Sequence, residues 1–251
     1  MEKMNILITG VHGFVGSNLV KYLSKENTIY GLDIVQPQKE GVKKTFSWDE
    51  LEQPNAMPEI DAIIHLAGKA HDTRNKSAAD VYFKVNTGLT QKIFDWYMAS
   101  ATAKKFVFFS TAKAAAECVP EILLEDVTPT PKGPYGESKI KAEEYIQGVS
   151  RKSMSSIVPG TDCPKNGKDV YIFRPCMIHG PGNKGNLNLL YGVVSKGIPW
   201  PLGAFENRRT FTSVENICFA VNGVLTQDVP SGIYNMGDDE ALSTNELIEV
   251  I

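Results

Sequence analysis

One stretch near the start, Asn5 to Gly16, restricts the possible folds of this chain more than any other. Asn5 to Thr9 is a short apolar run, and Thr9-Gly10-Val11-His12-Gly13-Phe14-Val15-Gly16 follows without a break. The glycines stand in a GxxGxxG spacing, and helical periodicity runs from Asn18 to Ser24. The pattern is a strand, a glycine turn and a helix. In such a unit Gly10 permits the tight turn, Gly13 lets a pyrophosphate approach the backbone, and Gly16 lets the helix pack close to the sheet. The N–H groups at the helix start and its positive dipole end face the same space. A second apolar run, Thr28 to Asp33, closes on a carboxylate. An acid in this position accepts both hydroxyls of a ribose and repels a 2′-phosphate.

The alternation continues along the chain. Asp61 to Leu66, Lys105 to Phe109 and Val170 to Phe173 read as strands, and Ala78 to Ala101 and Tyr135 to Gln147 read as helices. Strands separated by helices indicate βαβ units, and near-continuous apolar strands indicate a sheet covered on both faces. The expected class is α/β, a Rossmann-type doubly wound parallel sheet, and with Asp33 its expected cofactor is NAD. Arg151 to Lys168 is polar, with Pro and Gly, and is expected to be a surface loop. Beyond residue 175 the texture changes, with Gly, Pro and Asn clustered over Gly180 to Asn188 and Pro199 to Asn207. Two units are therefore expected, an NAD-binding Rossmann domain over 1–175 and a small C-terminal substrate lobe over 176–251. Ser243-Thr244-Asn245-Glu246 has a capping-box pattern, so a helix is expected to start near Ser243. That helix meets the last residue, Ile251, as if the lobe were cut short.

Composition removes several classes of function. A net charge of −3 offers no basic footprint for nucleic acid and no polybasic run for anionic lipid. No apolar run approaches membrane-span length, and Met1 to Thr9 is too short for a signal peptide. A cytoplasmic protein is expected. Cys118, Cys163, Cys176 and Cys218 lack paired spacing and are read as reduced thiols. His12, His65, His71 and His179 lack metal-ligand spacing, so no metal is expected.

Tyr135-Gly136-Glu137-Ser138-Lys139 places a phenol and an ammonium four residues apart, on one face of a helix. An ammonium near a phenol favours the phenolate, which can then act as a general base on a hydroxyl. The strand Lys105 to Phe109 runs into Ser110-Thr111, and residues at strand ends face the ligand crevice of such sheets. A hydroxyl there can hydrogen-bond a reacting oxygen.

In order and spacing, TGVHGFVG, DAIIHLAG, FVFFSTAK and YGESK resemble the extended short-chain dehydrogenases/reductases of the NAD-dependent epimerase/dehydratase family, which act on nucleotide sugars. The resemblance spans nearly the whole chain, including Arg174-Pro175, His179-Gly180-Pro181-Gly182-Asn183 and Asn207-Arg208-Arg209-Thr210-Phe211. HLAGKAH and GPGNKGNL are most similar to a UDP-glucose 4-epimerase-like branch that also holds 4-keto-sugar reductases. The resemblance implies Thr111, Tyr135 and Lys139 as catalytic residues, with Tyr135 and Lys139 also binding the cofactor, Lys139 on the nicotinamide ribose. It implies that Gly10, His12, Gly13, Phe14, Val15 and Gly16 line the phosphates and that Asp33 and Ile34 border the adenosine. Leu66, Ala67 and Gly68 pass beneath the cofactor, and Lys113, Asn183 and Arg209, with Thr111, touch substrate. His12 is read as a spectator to the chemistry, Asn86 as structural, Asn183 equally well as a turn residue, and Arg174 as a strand-end ion pair. The resemblance also implies a homodimer. Two departures, Ala115-Ala116 and Met177, fall where relatives carry other sugar-pocket residues.

The sequence narrows the reaction. Dehydratases of this kind place Asp-Glu after the catalytic hydroxyl, whereas Ala112-Lys113 follow Thr111 here. The expectation is an NAD-dependent 4-epimerase of a nucleotide sugar, with UDP as the expected nucleotide. A 4-keto-sugar reductase using NAD(P)H is the second reading, and a non-catalytic dinucleotide-binding regulator is the third.

Overall fold

A computed structural model describes residues 3–69, 78–119, 121–155, 167–183, 185–197 and 207–251. His71, Cys163 and Lys184 lie outside the described residues, as does most of the run from Pro199 to Asn207. The chain runs β1 (Asn5–Thr9), α1 (Phe14–Leu23), β2 (Thr28–Leu32), β3 (Val42–Phe46), β4 (Ala62–His65), α2 (Ala79–Tyr82), a π-helical segment Phe83–Gly88, α3 (Leu89–Ala99), β5 (Lys105–Phe109), α4 (Ala112–Ala115) and α5 (Gly133–Ser155). It continues through β6 (Asp169–Pro175), β7 (Met177–His179), α6 (Asn186–Val194), β8 (Arg209–Ser213), α7 (Val214–Thr226), β9 (Gly232–Met236), β10 (Ala241–Leu242) and α8 (Thr244–Val250).

Seven strands form one parallel sheet in the order β3-β2-β1-β4-β5-β6-β9. This is the doubly wound sheet expected. Alternate residues of its central strands feed two cores. Ile6, Ile8, Ala62, Ile64, Val107, Phe109, Tyr171 and Phe173 face one side, where α1 and α7 cover them with Leu19, Val20, Ile217 and Val221. Leu7, Ile63, Phe106, Phe108 and Ile172 face the other, under Ile93, Phe94 and Tyr97 of α3 and Ala142 and Ile146 of α5. Each such large side chain contributes about 1.5–3 kcal/mol on burial.

Several boundaries differ from the sequence reading. α1 begins at Phe14, because Gly13 serves as its extended N-cap. The segment expected as a loop from Arg151 is helical to Ser155. Strand β3 escaped notice because Lys43 and Lys44 are exposed on a sheet edge, where charged residues are favoured over apolar ones. The expected boundary after residue 175 falls where the chain leaves the large sheet. The later residues then divide: α7 and β9 return to the large sheet, while β7, β8 and β10 form a separate three-stranded sheet. α8 starts at Ser243 with the expected capping box.

Candidate active site

β2 and β3 lie on one side of β1, and β4 lies on the other. The strand order therefore reverses beside β1, and such a switch point opens a crevice outside the carboxyl ends of the strands. The sequence-predicted residues collect along that edge: Gly10 after β1, Asp33 after β2, Leu66 to Gly68 after β4, and Thr111 after β5.

Gly10 has φ +68°, and a Cβ there would lie 3.0 Å from the Ala67 nitrogen. The turn thus rests directly on the end of β4. Gly16 is equally constrained, but not by the sheet as expected. Its Cβ would lie 2.6 Å from the Gly10 carbonyl oxygen, so the close approach is between the helix and its own turn. Gly13 differs, since a Cβ there would meet only the Gly10 oxygen, at 3.2 Å. Beyond it is open space. No side chain caps α1, so its first-turn N–H groups face that space with Val15 and Phe14. This is a cradle fit for phosphate. Asp33 accepts hydrogen bonds from the backbone N–H of His12 (3.2 Å) and of Ile34 (2.8 Å), which ties the acid to the turn. The His12 Nε2 atom is buried with no partner among the described residues.

A buried chain of hydrogen bonds fixes the end of β4. Thr9 Oγ1 accepts from the Leu66 and Ala67 N–H groups (3.1 and 2.9 Å) and contacts His65 Nδ1 (2.7 Å). His65 Nε2 contacts Thr90 Oγ1 (2.9 Å), whose hydroxyl donates to the Asn86 carbonyl (2.6 Å). Thr90 has thereby used its proton, so Nε2 donates to it and Nδ1 accepts from Thr9. His65 is neutral in this arrangement, and burial first, then the Lys139 charge, holds its pKa well below the usual value. Asn86, inside the π-helical segment, accepts from the Lys69 N–H (2.7 Å) and donates to Ser138 Oγ (3.0 Å) of α5. Its Oδ1 and Lys139 Nζ would sit 3.0 and 3.3 Å from a Cβ on Gly68. Gly68 is thus the floor between them.

Tyr135, Lys139 and Glu143 follow one another at helical spacing on α5. The Tyr135 ring packs edge-on to Tyr82 at 6.4 Å. Burial pushes the phenol pKa up, the Thr111 bond opposes this, and Tyr82 adds to the rise. The favouring of the phenolate expected from the nearby ammonium is met here by a burial that acts the other way. The Lys139 ammonium turns instead to the Phe109 carbonyl, 2.7 Å away. Burial pushes Lys139 down to about 8, while Glu143 acts to raise it. Gly136 lies between the pair because a Cβ there would be 2.7 Å from the Lys113 carbonyl, so the two helices α4 and α5 touch.

The three residues expected on the substrate side are not drawn together by direct contacts. Lys113 ion-pairs with Glu117 at 2.7 Å near the surface. Asn183 builds a turn: its side chain donates to the Ile178 carbonyl (3.1 Å) and accepts from the Gly185 N–H (2.9 Å). That turn lies against α1, where Asn18 donates to the Pro181 carbonyl (3.1 Å). Arg209 is exposed at the start of β8, and its guanidinium makes no hydrogen bond or ion pair among the described residues. Sequence reasoning missed Thr90 and Glu143, and it gave Thr9 and Ser110 places in the chain without the bonds they make here. Only Glu143 left a signal, four residues after Lys139 on the same helix face.

The chain is similar to several known proteins. The chain is 28% identical over 264 residues to UDP-glucose 4-epimerase of Vibrio cholerae, covering 97% of this chain and 74% of that protein. The structure of MoeE5 in complex with UDP-glucose and NAD superposes with a TM-score of 0.79 at 22% identity, over 98% of this chain and 80% of that one. A UDP-N-acetylglucosamine 4-epimerase from Methanobrevibacter ruminantium M1 does so at 0.79 and 21%, over 100% and 81%. At these identities the two structures establish a shared fold. The sequence pattern of the NAD dependent epimerase/dehydratase family matches residues 6–237, from the first strand through β9. With the glycine turn, the β4 floor and the Tyr135–Lys139 helix all inside that span, the chain belongs to the NAD dependent epimerase/dehydratase family.

Proposed function

We propose that this protein is an NAD-dependent 4-epimerase of a UDP-linked hexose, working through a 4-keto sugar. The observation that carries the reading is the convergence of Thr111, at the end of β5, with Tyr135 and Lys139, one turn apart on α5, where the Lys139 ammonium is bonded to the Phe109 carbonyl of β5.

In this reading Gly10, His12, Gly13, Phe14, Val15 and Gly16 enclose the cofactor phosphates with backbone N–H groups. Asp33 takes the adenosine ribose hydroxyls, Ile34 borders the adenine, and Leu66, Ala67 and Gly68 support the nicotinamide end. Bound to these residues, NAD would supply hydride exchange at the sugar carbon, and its oxidised ring would add a positive charge to the site. That charge and the Lys139 ammonium offset the burial that raises the phenol. Tyr135 then takes the proton from the sugar 4-hydroxyl and gives it back after the keto sugar has turned over. Thr111 holds the same oxygen by its hydroxyl. Lys113, Asn183 and Arg209 border the sugar and its diphosphate, with Arg209 suited to a bidentate phosphate contact. Dehydration is disfavoured because α4 after Thr111 has no carboxylate, and Glu117 beyond it is turned to Lys113.

The test is incubation of purified protein with UDP-sugars and no added cofactor, with chromatography for the C4 epimer. Epimer formed without added NAD is expected. No epimer, together with NAD(P)H oxidation by 4-keto sugars, replaces this reading with the reductase.

A further inference from the structure

Two successive residues at the end of β5 are tied to two successive turns of α5. The Phe109 carbonyl accepts from Lys139, and Ser110 Oγ donates to Glu143. Glu143 is fully buried, and Arg174 of β6, 1% exposed, grips it from the far side. Its Nε lies 3.1 Å from both carboxylate oxygens and its Nη2 lies 2.6 Å from Oε2. Ser110 N–H in turn donates to the Phe173 carbonyl at 2.7 Å. Strand β5, strand β6 and helix α5 therefore meet at one carboxylate.

A buried ion pair is costly to desolvate, and apolar replacements are often as stable. Stability is thus a weak reason for Glu143 to sit here, and its place beside Lys139 gives a better one. We propose that Glu143 is the positioning residue of this site, fixing the register between β5 and α5 and supplying the buried anion that faces the Lys139 ammonium. The inference rests on the proposed roles of Tyr135 and Lys139. The other groups around Lys139 are Tyr135 one turn before it on its own helix, the Phe108 ring of β5 at 4.9 Å, Asn86 of the π-helical segment and His65 of β4. Around Glu143 they are Arg174 and, through it, the Glu125 carbonyl at 3.4 Å. Of the charged groups, Glu143 supplies the anion that holds the Lys139 proton in place.

Lysine side-chain NMR of the full chain with NAD added, titrated in pH, reads that proton directly. Loss of one resonance in Lys139→Met assigns it. Glu143→Gln removes the anion and leaves Arg174 cationic, so the Lys139 midpoint falls by about one pH unit, a tenfold loss of proton affinity. Should Glu143→Gln fail to fold, Glu143→Gln/Arg174→Gln removes the Arg174 charge together with the carboxylate, leaving Lys139 as the cation whose anion is gone, and a fall in the midpoint is expected there too. Glu143→Asp keeps the charge and holds the midpoint near its original place. A midpoint unmoved by loss of the Glu143 charge overturns the proposal. No sugar enters this titration. Epimer formation with an unmoved Lys139 defeats the inference alone, and a shifted Lys139 without epimer defeats the proposed function alone.

Discussion

At the end of the large sheet where the strands begin, lysines are consumed by helix ends. Lys168 gives all three ammonium protons to carbonyls, of Tyr97 (2.6 Å), Ser100 (2.8 Å) and Ala103 (2.9 Å), at the end of α3. Lys105 reaches the Val224 and Gln227 carbonyls (2.6 and 3.2 Å) at the end of α7. Cations belong there, against unpaired carbonyls and the negative dipole end. At the opposite end Lys139 is deeper, at 5% exposure, yet makes one hydrogen bond among the described residues, to Phe109. Its remaining protons are uncommitted. Around it lie Thr9, His65, Asn86, Ser110, Ser138, Glu143 and Arg174, all buried and polar. One end of the sheet uses charge to close helices, and the other keeps buried charge available for chemistry.

The sharpest break in that contrast is Tyr135→Phe, which removes one oxygen from the polar end. Turnover is expected to fall by roughly 10²–10⁴-fold, the range of a lost general base. Cofactor binding, followed by tryptophan fluorescence, is expected to stay, since the glycine turn and Asp33 are held by β1 and β2 rather than by α5. Wild-type turnover in this variant sinks the proposed mechanism. Next in size is Arg174→Met. It strands the Glu143 carboxylate without its cation, and breaking such a pair costs about 3–5 kcal/mol. Urea unfolding measures it. A loss below about 1 kcal/mol is the size of an exposed pair and places Glu143 in contact with water.

What could be read in the sequence follows the same division. The glycine turn and the Tyr135–Lys139 pair are local, because a turn or one helical turn brings their residues together. The seven-stranded sheet was legible from its apolar runs wherever both faces are buried. The ties at the polar end were not. Thr9, His65 and Thr90 come from β1, β4 and α3, and Ser110, Glu143 and Arg174 come from β5, α5 and β6. Only the strand order makes them neighbours. The direction of the Lys139 ammonium was hidden for a related reason: sequence spacing gives the helix face, while the bond it makes is to a carbonyl of another element, Phe109 of β5.

A smaller effect is expected from acid. An unfolded histidine titrates near 6.5, whereas folded His65 keeps its neutral form to much lower pH. Below about pH 6.5 the unfolded chain takes a proton that the folded chain refuses, so stability falls as pH drops. One such group gives at most about 1.4 kcal/mol per pH unit. His65→Gln is expected to be less stable at neutral pH, having lost its ring contacts, and to lack that share of the acid slope. An unchanged slope in urea unfolding between about pH 5 and 6.5 shows that other groups carry it.

The smallest effects compare the two lysines directly and turn on sign. Lys168→Met leaves three carbonyls at the end of α3 without their cation, and a loss of about 1 kcal/mol is expected from the partly exposed site. Lys139→Met removes a charge whose burial is unfavourable, as the fall to about 8 indicates, while Glu143 keeps its bonds to Arg174 and Ser110. The folded chain then no longer bears that cost below about pH 8. In the wild type the same cost fades as pH rises from 8 toward the ordinary lysine value, because the unfolded chain alone keeps the proton. Lys139→Met is therefore expected to match or exceed wild-type stability at neutral pH, by up to about 1–2 kcal/mol, and to be inactive. Urea midpoints at pH 7 with unchanged slope separate the two variants. If both lysines prove equally stabilising, Lys139 is a structural anchor like Lys168, and the polar end of the sheet holds no charge in reserve.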